Sequence, residues 1–581
     1  MLFTRKAAAG VWLFLAFERV LTAQIPVSSH TPSSFHPGVE NDLGQWVLDE
    51  GPAVNATGHL VFETANSLLQ HWPNTRHRIG HTIVPGTIPV GTILYHGALS
   101  GPHLPTALDW VAVEPDHSTY FCKGPIETGC WHLTLAVTRP MKVLYFDGSS
   151  AARLLEGTMD TQDLVAWSEM KPKWVWNEER RIKDLCEWGE KYGVNGFVRM
   201  DMNFEIMICN FTSHMEIVSF LNLESMRIGI STDPPPEGLN TIRHIFEFMH
   251  SASWRENYPG ETRIMLDFSG LVSFYDTALV PSLVSRRVGL DRWDHRVAGI
   301  SPEDIESVQD RLAQALARPP ATTSGFDWKT VLRVVVDRYA SRLEFIQHLL
   351  NLTLDDGSIF DHAQQIQRQL RTVLFPYTVF AALPPNTSVT ANATNSWAAP
   401  VFRECATSHA ASIASRGTTL TPSEHLLLQA VRETTHEICR VVTKMWASGM
   451  NFGVDAFYPP EQRPEDDHIH ALIGEWKEDV TQLISWLDWS VWVKCRPACG
   501  FEEMCYLPTW PFGFFPTPGG PLQAQWSRTT VLLYGQTQTK GNGRDHNPSV
   551  SDGGSHMKDD SDWQATKGSS GVAFHSRIWT A

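Results

Sequence analysis

The chain changes its hydrophobic period at Pro234-Pro235-Pro236. Three consecutive prolines remove three backbone donors and fix φ at about −65°, so neither a helix interior nor a central strand runs through them. Before the break, Thr92 to His96, Trp131 to Val137, Val143 to Phe146 and Phe204 to Cys209 are short apolar runs bounded by Gly, Pro or Asp, which predicts strands. One helical stretch, Glu178 to Tyr192, interrupts them. After the break the period becomes helical. Ser301-Pro302-Glu303-Asp304 has the chemistry of a capping box with proline at the first helical position, followed by Ile305, Val308, Leu312, Ala315 and Leu316 on one face. Thr421-Pro422-Ser423-Glu424 repeats it ahead of a helix to Met445, and Asp327 can cap a helix carrying Val331, Leu332, Val335, Tyr339, Leu343, Ile346 and Leu350. Helical spacing returns from Glu465 to Trp492. The expected class is α+β: a mixed or antiparallel-sheet domain over 58–232, preceded by an extended segment 24–57, then a mainly helical domain over 237–510. Residues 511–581 are Pro/Gly-rich and then Gly, Ser, Asp, Asn and Lys, too poor in apolar surface to order themselves, so a disordered tail is expected.

Residues 1–23 have the layout of a secretory signal: basic Arg5 and Lys6, an apolar run Ala7 to Phe17, and small Ala23 at the cut. Glu18 and Arg19 before that cut leave an uncleaved N-terminal membrane anchor as the alternative. No later apolar stretch approaches membrane-spanning length, so the mature chain is expected to have no transmembrane segment and to be secreted. Five Asn-x-Ser/Thr sequons, at Asn55, Asn210, Asn351, Asn386 and Asn392, predict N-linked glycans on exposed sites. A net charge of −16 argues against nucleic acid as a partner. In an oxidising compartment the nine cysteines read as disulfides: Cys122 with Cys130, Cys186 with Cys209, Cys405 with Cys439, and one pair from Cys495, Cys499 and Cys505. Zinc is the competing reading of that trio, but no fourth ligand lies nearby in sequence.

The most suggestive chemistry lies before residue 210. Leu94-Tyr95-His96-Gly97 ends one strand, Asp116-His117-Ser118-Thr119-Tyr120-Phe121 follows, and Phe204 to Cys209 forms another strand. Period-two alternation puts Glu205 on a face with Met207 and Cys209. A carboxylate on an apolar face is costly unless it is paired, hydrogen-bonded or placed at a site.

This order resembles the ADP-ribosyltransferase fold over about 90 to 210. The resemblance implies that His96 with Gly97 grips the ribose and nicotinamide amide of NAD, Tyr120 stacks on the nicotinamide, and Glu205 holds a ribose hydroxyl and favours an oxocarbenium-like transition state. Without catalysis, His96 and Tyr120 cap strands, Glu205 pairs with Arg199, and the chain is a secreted binding protein for a protein or small-molecule partner. A second set of segments, Val143 to Ala152, Gly157 to Asp163, Leu266 to Asp276 and Cys499 to Cys505, is similar to an uncharacterised group of fungal secretory-pathway proteins and implies no chemistry.

Other motifs carry less. Gly148-Ser149-Ser150-Ala151 lacks the second glycine of a nucleophile elbow. His468 and His470 are two apart on a helix and point about 200° apart, too far to share one ion. His71, His77 and His81 read as exposed loop residues, and Trp486, Trp489 and Trp492 as core or interface packing, with a sugar-stacking platform as the alternative.

Overall fold

The computed structural model describes residues 46–98, 103–106, 108–122, 128–224, 250–319, 324–353, 358–384, 395–459, 462–495, 498–500, 503–507, 530–536 and 572–578. Residues 1–23, Asn386, Asn392 and most of 511–581 therefore lie outside the described residues. Leu48–Ala581 groups as one compact unit.

The core of the unit is a ten-stranded sheet. Its strands are β1 (Thr82–Ile88), β2 (Ile93–Ala98), β3 (Asp109–Ala112), β4 (Cys130–Val137), β5 (Met141–Phe146), β6 (Gly196–Met200), β7 (Phe204–Ile208), β8 (Met215–Leu223), β9 (Met265–Leu266) and β10 (Val272–Ser273). They run in the order β10-β1-β5-β6-β7-β3-β2-β4-β8, with β9 also on β1. Every pairing is antiparallel except β5 with β6. A parallel pair needs a crossover, and two helices supply it: α4 (Asp160–Trp167) and α5 (Glu178–Glu190), numbered after α1 (Gly58–Asn66), α2 (His71–Arg76) and α3 (Pro115–Thr119). Leu164, Val165, Ile182 and Leu185 of the crossover pack on Leu144, Phe146, Phe197 and Met207 of the sheet. The same core takes Val308, Leu312 and Leu316 from α6 (Pro302–Ala317).

The helical layer is built around α10 (Pro422–Asn451), which contacts α1, α8 (Ile359–Leu374), α9 (Ala399–Thr407) and α11 (Asp466–Leu487); α7 (Trp328–Leu350) packs on α8 and α11. The capping box at Thr421 and Glu424 is formed, and the Thr421 hydroxyl donates to Ser269 O at 2.7 Å. Residues 503–506, 530–536 and 572–578 make a separate three-stranded antiparallel sheet.

The α+β class is as expected. Two local readings are corrected. Residues 58–76, expected to be strand-rich, carry α1 and α2, because a helix buried on nearly all sides shows no amphipathic period. His71 and His81 are interior and His77 is half-buried, not exposed loop residues; α2 lies against the sheet, and burial lowers all three rings.

Candidate functional site

The sheet opens between β2 and β3. β2 pairs with β4 at six positions but with β3 only at Tyr95 and Ala112, whereas β3 pairs with β7 at four. His96 spans the opening, its Nδ1–H donating to Trp110 O at 2.7 Å. A carbonyl only accepts, so a hydrogen sits on Nδ1, and Nε2 stands 3.8 Å from Asp109 Oδ2. The turn after β3 forms α3, which lies over β2 and brings His117, Tyr120 and Phe121 to the opening. Gly97 permits this approach: a Cβ there would meet Ser118 O at 2.4 Å and Cys122 N at 2.9 Å. The Cys122–Cys130 disulfide then fastens the segment to the start of β4.

On β7, Glu205 is only 9% exposed and accepts from Arg199 Nε at 2.6 Å. The same guanidinium donates to Glu178 on α5, and Arg181 behind it pairs with Asp163. His117 Nε2 stands 3.8 Å from the second oxygen of Glu205, beyond hydrogen-bond range. Burial pulls the Glu205 carboxyl upward, but Arg199 and His117 outweigh it and hold it at about 2, so it is ionised throughout the neutral range.

Asp201, at the turn between β6 and β7, behaves oppositely. Burial, and then the charge of Glu205, push it well above the usual carboxylate range. Two carboxyl groups in one site driven apart in this way can serve as anion and hydrogen-bond donor.

His96, Gly97, Tyr120, Arg199, Asp201 and Glu205 all line one cavity of about 570 Å³. The structure thus brings together every residue singled out for catalysis, and adds His117, Asp201 and Trp110. The Trp110 indole N–H has no acceptor among the described residues. Glu205 also makes the ion pair with Arg199 expected of a purely structural residue, so both features coexist.

The remaining expectations fall elsewhere. Disulfides join Cys122–Cys130, Cys186–Cys209, Cys405–Cys439 and Cys495–Cys505, with Cys499 outside them. The three sulfurs of the last group lie within 4.8 Å of one another, but a disulfide consumes two of the thiolates that zinc would need. Asn55, Asn210 and Asn351 are exposed, as acceptors must be. Ser149 is buried and donates to Asn74 O at 3.2 Å, a structural contact. Trp489 is buried and stacks on Trp492, while half-buried Trp486 stacks on His59. Among the described residues, no helix is long and apolar enough to cross a membrane.

Residues 123–237 match the family model described as the YPL277C N-terminal domain, a stretch that contains Glu205 but neither His96 nor Tyr120. The chain is 25% identical over 384 residues to the uncharacterized protein YPL277C of Saccharomyces cerevisiae, covering 52% of this chain and 76% of that protein. It is 24% identical over 375 residues to the uncharacterized protein YOR389W of the same yeast, covering 50% of this chain and 58% of that one, less than two thirds of its length. No solved structure matches. The chain is therefore similar to uncharacterised yeast proteins.

Proposed function

We propose that this is a secreted or lumenal glycoprotein that uses NAD in an ADP-ribosyltransferase-like reaction within the β2/β3 cavity. The observation that carries the reading is the convergence of His96, Tyr120 and Glu205, spread over 110 positions, on one pocket. Its volume of about 570 Å³ falls in the range of small-ligand sites.

In the proposed step the bond between ribose C1′ and the nicotinamide nitrogen breaks, and the electron pair leaves with neutral nicotinamide. Positive charge develops on the ribose, and the ionised Glu205 stabilises it from a dry, preorganised position. Water or an acceptor nucleophile then bonds to C1′ and loses its proton to solvent. His96 Nε2 engages a ribose hydroxyl, Tyr120 stacks on the leaving ring, and Asp201, whose acid form burial favours, donates to a substrate oxygen. Nicotinamide needs no proton to depart, so Asp201 positions substrate.

The test is nicotinamide release by purified protein. Glu205→Gln is expected to lower kcat by about 10²- to 10³-fold with little change in KM, as for loss of a charge felt mainly in the transition state. Tyr120→Ala is expected to raise KM. The hold of Arg199 on Glu205 favours a second reading, a cavity that binds without turnover. NAD binding to wild type with no nicotinamide released would establish that reading instead.

A further inference from the structure

A second cavity, of about 520 Å³, lies between the start of the described chain, the segment 274–295 and the end of α11, and it shares no lining residue with the first. Its walls carry Arg76, Arg287 and Arg292 in a chain of net charge −16. Arg76 pairs directly with Asp488; Arg292 donates from Nη2 to Thr64 Oγ1 at 2.9 Å, and its Nη1 lies 3.9 Å from the Asp488 carboxylate with no hydrogen bond among the described residues. Asp291, the other acidic lining residue, is exposed at the rim.

Arg287 is the most exceptional of the three. It is 9% exposed, donates once, from Nη1 to Phe274 O at 2.5 Å, and lies 4.6 Å over the ring of Tyr275. Its Nε and Nη2 have no acceptor among the described residues. A buried guanidinium without a carboxylate costs several kcal/mol of solvation that one stacked ring does not return. Desolvation accordingly lowers its pKa. Burial also holds His59 at about 3 and His295 at about 4, so both rings are neutral near pH 7 and add no repulsion to the cations. The lining also has apolar residues beside these cations, namely Phe274, Val280, Val284, Val288 and Leu290.

We infer that this cavity binds a small organic oxyanion, with its phosphate or carboxylate head on Arg287 and Arg292 and its body against the Phe274–Val284 wall. The guanidinium groups of Arg287 and Arg292 match the planar, bidentate acceptor geometry of such head groups. The inference is independent of the NAD reading and survives its failure.

The experiment is isothermal titration of the full chain at low salt with inorganic phosphate and, separately, 1-naphthoate. Saturable binding of either probe is expected with a dissociation constant below about 10 mM; phosphate alone would indicate a phosphate head, naphthoate alone a carboxylate with an apolar body. Arg292→Gln and Arg287→Gln are each expected to weaken it by about ten-fold or more. Because a buried arginine change can also unfold the chain, Val284→Trp, which fills the cavity from a half-buried wall position, serves as the second variant and is expected to abolish binding. Absence of saturable binding by both probes, or binding unchanged in Val284→Trp, would overturn the inference.

Discussion

Arg199 is the residue on which the first cavity depends. It is buried, and it pairs with Glu178 and Glu205 at once. Removing one member of a buried ion network leaves uncompensated charge, so Arg199→Gln is expected to cost about 3–5 kcal/mol in denaturant unfolding. Glu205 also ties the site to pH. Its native pKa of about 2 lies below the ordinary 4.5, so its stabilisation is complete above pH 4.5 and is lost as pH falls toward 2, about 3 kcal/mol in all. Asp201 has the opposite sign. Its pKa is raised, so its contribution declines as pH rises above 3.8, and below that value it adds no slope. Between pH 3.8 and 2, therefore, wild type should lose stability more steeply than Glu205→Gln; equal slopes would remove the assigned ionisation. Glu205 was legible in the sequence because a carboxylate on an apolar strand face demands a partner. Asp201 and His117 were not, since an aspartate in a turn and a histidine in a short polar segment are ordinary loop chemistry.

At the level of elements, legibility followed length and capping. The helices after Ser301, Asp327 and Thr421 begin where their side-chain caps place them, and each such cap forms. By contrast, β9 and β10 are two residues long and cannot express a period. The α1–α2 pair was hidden by its burial on nearly all sides. Gly97 couples elements directly, because α3 rests on β2 only where no side chain stands. Gly97→Ala is expected to destabilise the chain by about 1–3 kcal/mol and to weaken NAD binding, by pushing α3 off the strand. Thermal melting and titration check it; an unchanged melt would mean that the α3 segment yields freely. Thr421→Ala, which removes the cap and the bond to Ser269 O, is expected to cost about 1–2 kcal/mol.

For the whole molecule, the disulfides and the exposed sequon asparagines are compatible with a secreted or lumenal protein. The local cysteine pairs were readable from spacing. The partner of Cys495 was not, because three thiols within eleven positions allow three pairings, and only the fold brings Cys505 to it. Cleavage of N-linked glycans should lower the mass of the native product, with Asn55, Asn210 and Asn351 among the occupied positions. The long-range convergence of positions 96, 120 and 205 likewise exists only in the folded sheet, where a single pairing between β2 and β3 leaves the opening they share. The most direct measurement is chromatographic detection of free nicotinamide after purified wild-type protein and its Glu205→Gln variant are incubated with NAD. Release by wild type that falls at least about a hundred-fold in the variant is the expected result; no release by folded wild-type protein, or equal release by both, would contradict it.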